Sequence, residues 1–171
     1  MNQQQQKVEI PYSYAFINFI SDVEKEKLIE WAHSCFDELK VNGGGRYFNL
    51  FSKLKFVPPL VYEIKKRVEH IIERDYVYDP IFEDFLSFNL HNAAIHPHAD
   101  PNLDGYTHTR YNLILSLPEQ GGLPIYNESL VNVAEKMLWR CEAGKYTHES
   151  TPVRGSKPRI NLSFGFQEKN Q

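Results

Sequence analysis

Arg159-Ile160-Asn161-Leu162-Ser163-Phe164-Gly165-Phe166 alternates polar or small residues with large apolar ones at every step. A period of two belongs to an extended strand, whose successive side chains leave on opposite faces. Arg159, Asn161, Ser163 and Gly165 therefore share one face, and Ile160, Leu162, Phe164 and Phe166 the other. The apolar face calls for a core. The polar face carries an arginine, and an unpaired charge turned toward a protein interior is very costly, so Arg159 needs a partner. Either an internal acid such as Glu142 or a carboxylate-bearing ligand can supply it, because guanidinium binds carboxylate in bidentate fashion.

The same period recurs upstream. Phe82–Leu90, Tyr111–Leu117, Leu123–Tyr126, Leu130–Val133 and Met137–Glu142 are short runs rich in β-branched and aromatic residues. Pro118, Gly121-Gly122, Asn127, Ala143-Gly144 and the stretch from Gly155 to Pro158 separate them with turn chemistry. Six such runs within about 85 residues, with no helical pattern between them, read as an antiparallel sandwich or jelly roll.

Before Phe82 the pattern is mostly helical. Ser21 and Glu24 have the spacing of a capping box, and Leu28, Ile29, Trp31, Ala32, Cys35, Phe36 and Leu39 form the apolar stripe that follows. Asn42-Gly43-Gly44-Gly45 ends that helix and opens a loop. Pro58-Pro59 starts a second helix with Leu60, Val61, Ile64, Val68, Ile71 and Ile72 on its stripe. The expected fold is mainly β with N-terminal helices. A double-stranded β-helix core (jelly roll, cupin-like) spans about 82–167, and two supporting helices within about 12–76 pack outside one sheet, all in a single domain over 1–171.

Composition narrows the function. The chain has 171 residues, and its 10 Tyr, 11 Phe and 2 Trp argue for a packed core. Nineteen basic against 22 acidic residues leave a net charge of −3, which disfavours nucleic acid or an anionic membrane as partner. Cys35 and Cys141 lack CxxC spacing and are too few for a disulfide framework, so both read as packing residues. No apolar run is long enough for a membrane span. The start, MNQQQQKVEI, lacks the apolar stretch of a signal peptide, so a cytoplasmic location is expected, with Gln3 to Gln6 as a frayed end.

The chemistry concentrates in Ala94-Ile95-His96-Pro97-His98-Ala99-Asp100. In extended backbone His98 and Asp100 project to the same side. His148 lies where a jelly roll can bring a later strand alongside. Two histidines and one carboxylate form the facial triad that binds non-haem Fe(II) and leaves coordination positions open. His96 reads as a surface or supporting residue, His91 and His108 as exposed loop or strand-edge residues, and His33 and His70 as helix-surface residues. Arg110 is either a surface residue or a substrate contact. The Gly43–Tyr47 loop reads as a substrate lid or a plain linker, with Arg46 and Tyr47 facing substrate if it is a lid.

His98-x-Asp100, His148, and Arg159 in Pro-Arg-Ile-Asn-Leu-Ser-Phe together resemble the 2-oxoglutarate- and Fe(II)-dependent dioxygenases over roughly Asp84 to Phe166. The Gly121-Gly122 turn is also similar to that family. The resemblance implies that His98, Asp100 and His148 bind iron and that Arg159 holds the distal carboxylate of 2-oxoglutarate. It implies consumption of O₂, release of succinate and CO₂, and oxidation of an organic substrate, most often by hydroxylation. Asn161 stands where many members have Ser or Thr, and an amide can still donate to a carboxylate. Asn89 and Tyr111 are the candidates for the tyrosine that often shares the co-substrate. The presence of Asp100 disfavours halogenating relatives. The substrate class is a small molecule or a peptide or protein side chain. The alternative is a cupin-type metal-binding jelly roll with chemistry that does not use 2-oxoglutarate, or with a binding role.

Overall fold

A computed structural model describes residues 6–170. The chain runs β1 (Gln6–Ile10), β2 (Ser13–Ile17), α1 (Asp22–Ser34), β3 (Lys40–Val41), β4 (Arg46–Leu50), α2 (Pro59–Glu69), β5 (Tyr76–Tyr78) and β6 (Phe85–Asn89). It continues through β7 (Tyr106–Ser116), β8 (Pro124–Tyr126), β9 (Ser129–Leu130), β10 (Leu138–Cys141), β11 (His148–Ser150) and β12 (Arg159–Lys169). Short 3₁₀ turns occupy Phe36–Glu38 and Phe51–Lys53.

The capping box at Ser21 forms as its spacing requires: Ser21 Oγ accepts from the Glu24 N–H at 3.2 Å, and the Ser21 N–H donates to Glu24 Oε2 at 2.7 Å. Ser21→Ala is expected to cost about 1 kcal/mol and to lower Tm by about 3 °C, measured by thermal unfolding against wild type. A shift within error would mean that packing alone holds this end of α1. Pro59 occupies the first turn of α2, where its missing N–H costs nothing. Val61, Ile64 and Val68 are fully buried, each contributing about 2 kcal/mol of transfer free energy.

The large sheet is antiparallel in the order β1-β2-β10-β7-β12-β6-β4-β3, with β5 added on β12; β11-β8-β9 form a second, small sheet. Alternation divides the large sheet into two faces. Leu86, Phe88, Leu113, Leu162 and Phe164 meet Leu28, Trp31, Val61 and Ile64 of the helices in the main core. Ile114, Trp139 and Cys141 turn the other way and pack with Tyr126 of the small sheet and with Val131, just past β9. The jelly-roll reading with helices outside one sheet holds.

The region before Phe82 is less helical than its pattern suggests. Gln6–Ile10 and Ser13–Ile17 pair as a hairpin around Tyr12, whose φ is 60°, and β2 joins the sheet through β10. Gln6 belongs to β1, so the frayed end does not reach it; Gln3–Gln5 lie outside the described residues. The glycine run is a hairpin turn. Asn42 Oδ1 accepts from the N–H groups of Gly44 and Arg46, each at 3.1 Å, and Gly45 sits at φ +74°. Arg46 and Tyr47 consequently lie on β4, paired with Asn89 and Phe88 of β6, rather than on a lid.

Candidate active site

Between the two sheets opens a cavity of about 260 Å³. His98 and His148 face each other across an antiparallel bridge, the His98 N–H donating to the His148 carbonyl at 3.2 Å and the reverse bond measuring 2.8 Å. The Asp100 N–H is held by the Ala143 carbonyl at 2.8 Å. These backbone bonds bring one ligand atom from each of His98, Asp100 and His148 within 4.8 Å of one another. His98 Nε2 lies 3.5 Å and His148 Nε2 3.9 Å from the Asp100 carboxylate. His98 Nδ1 donates to the His96 carbonyl at 2.7 Å, so Nε2 is the nitrogen turned toward the site. Burial and the neighbouring His98 hold His148 well below the usual imidazole value, which keeps it a neutral donor.

Arg159, the first residue of β12 in the large sheet, lines the same cavity. It is 3% exposed, lines the cavity with Asn161 and Ser163, and its Nε and Nη1 are sealed from solvent without a partner. Burial, and then the proximity of Arg46, lower it to about 10, so it is still a cation at neutral pH. Glu142 is not its partner: that carboxylate contacts Arg140 at 3.3 Å and Arg74 at 3.4 Å, away from the cavity. Asn161 Oδ1 accepts from Ser87 Oγ at 3.1 Å. Asn89, opposite Arg159 in register, is fully buried and both atoms of its amide are unpaired. Tyr111 departs from its expected place. On β7 it points to the helix-side core, where its hydroxyl donates to Glu168 at 2.8 Å, and it does not reach the cavity.

Two residues near the triad escaped the sequence reading. His108, expected at an exposed edge, is completely buried, with Nδ1 3.4 Å from Asp100 Oδ2 and Nε2 3.2 Å from Asp79 Oδ2. Phe82 stacks over its ring, with centroids 5.8 Å apart and planes at 15°. Asp79 also accepts from Gln167 Nε2 at 3.2 Å and from the N–H groups of Ile81 and Phe82 at 3.1 and 3.0 Å. Burial pushes its carboxyl up, but His108, Gln167 and the Ile81 N–H outweigh that and hold it far below the usual carboxylate range. Arg110, left undecided by sequence, is buried: it donates to Ser163 Oγ at 3.0 Å and to the Glu83 carbonyl at 2.7 Å. A Cβ on Gly165 would collide with its guanidinium, so glycine is required there. The signal for both was the alternation of Tyr106–Ser116, which puts His108, Arg110 and Asn112 on the face opposite Tyr111, Leu113 and Leu115.

No protein-family model and no curated protein matches the chain. Solved structures do. The viral collagen prolyl hydroxylase vCPH of Paramecium Bursaria Chlorella virus-1, in its 2OG complex, superposes with a TM-score of 0.66 at 15% identity, covering 98% of this chain and 97% of that one. The two chains share one fold. HygX of Streptomyces hygroscopicus, with nickel and 2-oxoglutarate bound, shares it at a TM-score of 0.67 and 10% identity, over 90% of this chain and 82% of the other. So does a Trichoplax adhaerens prolyl hydroxylase in complex with a hypoxia inducible factor peptide fragment, at 0.64 and 11%, again over 90% and 82%. On this fold, two imidazoles and one carboxylate make a donor set suited to Fe(II). The orphaned guanidinium of Arg159 suits a carboxylate. The residues present fit both groups.

Proposed function

We propose that the protein is an Fe(II)- and 2-oxoglutarate-dependent oxygenase that hydroxylates an organic substrate, either a small molecule or a peptide side chain. The observation that carries this reading is the buried, unpaired Arg159 on the wall of the cavity that His98, Asp100 and His148 also line. A metal-binding jelly roll that takes no carboxylate ligand would leave that charge buried and unpaired.

His98, Asp100 and His148 would hold the iron and leave the remaining coordination positions to co-substrate and O₂. Arg159 would hold the distal carboxylate of 2-oxoglutarate, with Asn89 and Asn161 beside it. When bound, Fe(II) supplies the oxidising chemistry, with one oxygen atom of O₂ ending in succinate and the other in the new hydroxyl as CO₂ leaves. The protein contributes placement and dryness. The His96 carbonyl fixes the tautomer of His98, and Phe48, Leu50, Phe82, Phe85 and Ile95 exclude water from the approach. Among the described residues no helix is long and apolar enough to cross a membrane. The free thiols of Cys35 and Cys141 suit a reducing compartment, which we infer to be the cytoplasm.

The deciding experiment is succinate formation from 2-oxoglutarate by the purified chain with Fe(II) under air. Turnover should require O₂, vanish with a chelator, and fall by more than about a hundredfold in His148→Ala. A wild-type chain that binds Fe(II) yet neither binds nor consumes 2-oxoglutarate would refute the assignment.

A further inference from the structure

Arg46 is the second cation in this cavity without a partner. It stands on β4 in the same cross-strand row as Asn89 and Arg159, two strands from the latter. Its Nε is sealed from solvent and unpaired, and among the described residues its side chain makes no hydrogen bond and no ion pair. Its guanidinium packs on the rings of Phe48 and Phe85, 5.0 and 5.5 Å from their centroids. Burial, and then Arg110, lower it to about 10, while Asp100 opposes the shift. Arg46 therefore remains charged at neutral pH.

Pairing the charges one by one shows which cation lacks a contact. In the reading proposed above, the two positive charges of Fe(II) and that of Arg159 are met by Asp100 and by the two carboxylates of 2-oxoglutarate. Arg110 is met by Asp79 at 3.4 Å. Glu149, on the small sheet, lines the cavity but, among the described residues, forms no ion pair. Arg46, half-buried on the cavity wall, is then the remaining arginine with no acid in contact, and holding a largely desolvated cation unpaired is costly. The rings around it offer an apolar wall next to a planar fork of donors, the pairing that recognises a carboxylate on an apolar body.

We infer that Arg46 is a substrate anchor, and that the substrate carries a carboxylate on an aromatic or aliphatic body that packs against Phe48 and Phe85. This rests on the oxygenase reading for the reaction, but the anchor itself can be tested by binding alone. Phenylacetate and its neutral isostere phenylacetamide are titrated calorimetrically into the full chain with saturating 2-oxoglutarate, and 2-oxoglutarate is titrated separately. The acid should bind at least about tenfold more tightly than the amide to wild type. Arg46→Gln should erase that preference while the Kd for 2-oxoglutarate changes by less than about threefold, and Arg46→Lys should keep part of it. Equal binding of acid and amide to wild type, or a preference that survives in Arg46→Gln, overturns the inference. Loss of 2-oxoglutarate affinity in Arg46→Gln overturns it as well, because Arg46 would then serve the co-substrate. Failure of wild type to bind 2-oxoglutarate defeats the oxygenase reading instead, and the acid–amide contrast still reports on Arg46.

Discussion

Replacing Arg159 with alanine is expected to weaken 2-oxoglutarate binding by at least about a hundredfold while Fe(II) affinity changes by less than about threefold. Truncating one member of a buried, hydrogen-bonded charge pair costs about 2–5 kcal/mol, and each 1.4 kcal/mol is tenfold in affinity. Arg159 meets the conditions for the upper part of that range, being 3% exposed with two guanidinium nitrogens waiting for acceptors. The iron site would be spared because none of its three side chains contacts Arg159. The same geometry carries a second consequence. Without a carboxylate the folded protein holds an uncompensated buried cation, so Arg159→Met should raise the Tm of the ligand-free protein while abolishing the Tm gain that 2-oxoglutarate gives wild type. Calorimetric titration and thermal unfolding read the two effects independently. Unchanged 2-oxoglutarate affinity in Arg159→Ala would send the co-substrate elsewhere in the cavity, with Arg46 the obvious alternative.

The parts of this molecule legible in sequence are those with a strict period. The alternation in Arg159–Phe166 placed Arg159, Asn161 and Ser163 on the cavity wall, and the stripe from Val61 to Val68 placed α2 on the core. His98 and Asp100 were legible as a pair because two residues of extended backbone span one face. Their meeting with His148 depends on a two-residue bridge between distant segments, which local pattern only permits. Short pairings defeated the reading elsewhere. β3 and β11 span two and three residues, too few to show a period, and the glycine run masked β4 by looking like a loop. His108 was missed for a different reason. A histidine among threonines reads as an edge, and only the fold brings Asp79, 29 positions earlier in the chain, against its far nitrogen. Tyr111 failed because the neighbouring arginine, not the tyrosine, faces inward.

Asp79→Asn is expected to damage the protein twice. The native carboxylate lies against His108 and Arg110, at 3.2 and 3.4 Å, with both its own side chain and His108 sealed from solvent. An amide of the same size can still accept from the Ile81 N–H but no longer balances Arg110. Breaking a buried pair by removing one charge costs about 3–5 kcal/mol, which at this chain length lowers Tm by about 10 °C. The second effect is on the metal. His108 reaches Asp100 with its other nitrogen, at 3.4 Å, so the ring that steadies the proposed iron-binding carboxylate is itself steadied by Asp79. Loss of such outer support commonly costs about 10–100-fold in metal affinity. Titration of Fe(II) into the refolded variant separates the effects: a destabilised protein that keeps wild-type Fe(II) affinity would mean that the support ends at His108. Acid provides a further check on sign. Because folding holds the Asp79 carboxyl below its unfolded value of about 3.9, its contribution is full above that value and fades as pH falls below it. Wild type should therefore lose stability more steeply than Asp79→Asn below about pH 4, so that the gap between their Tm values narrows with acid.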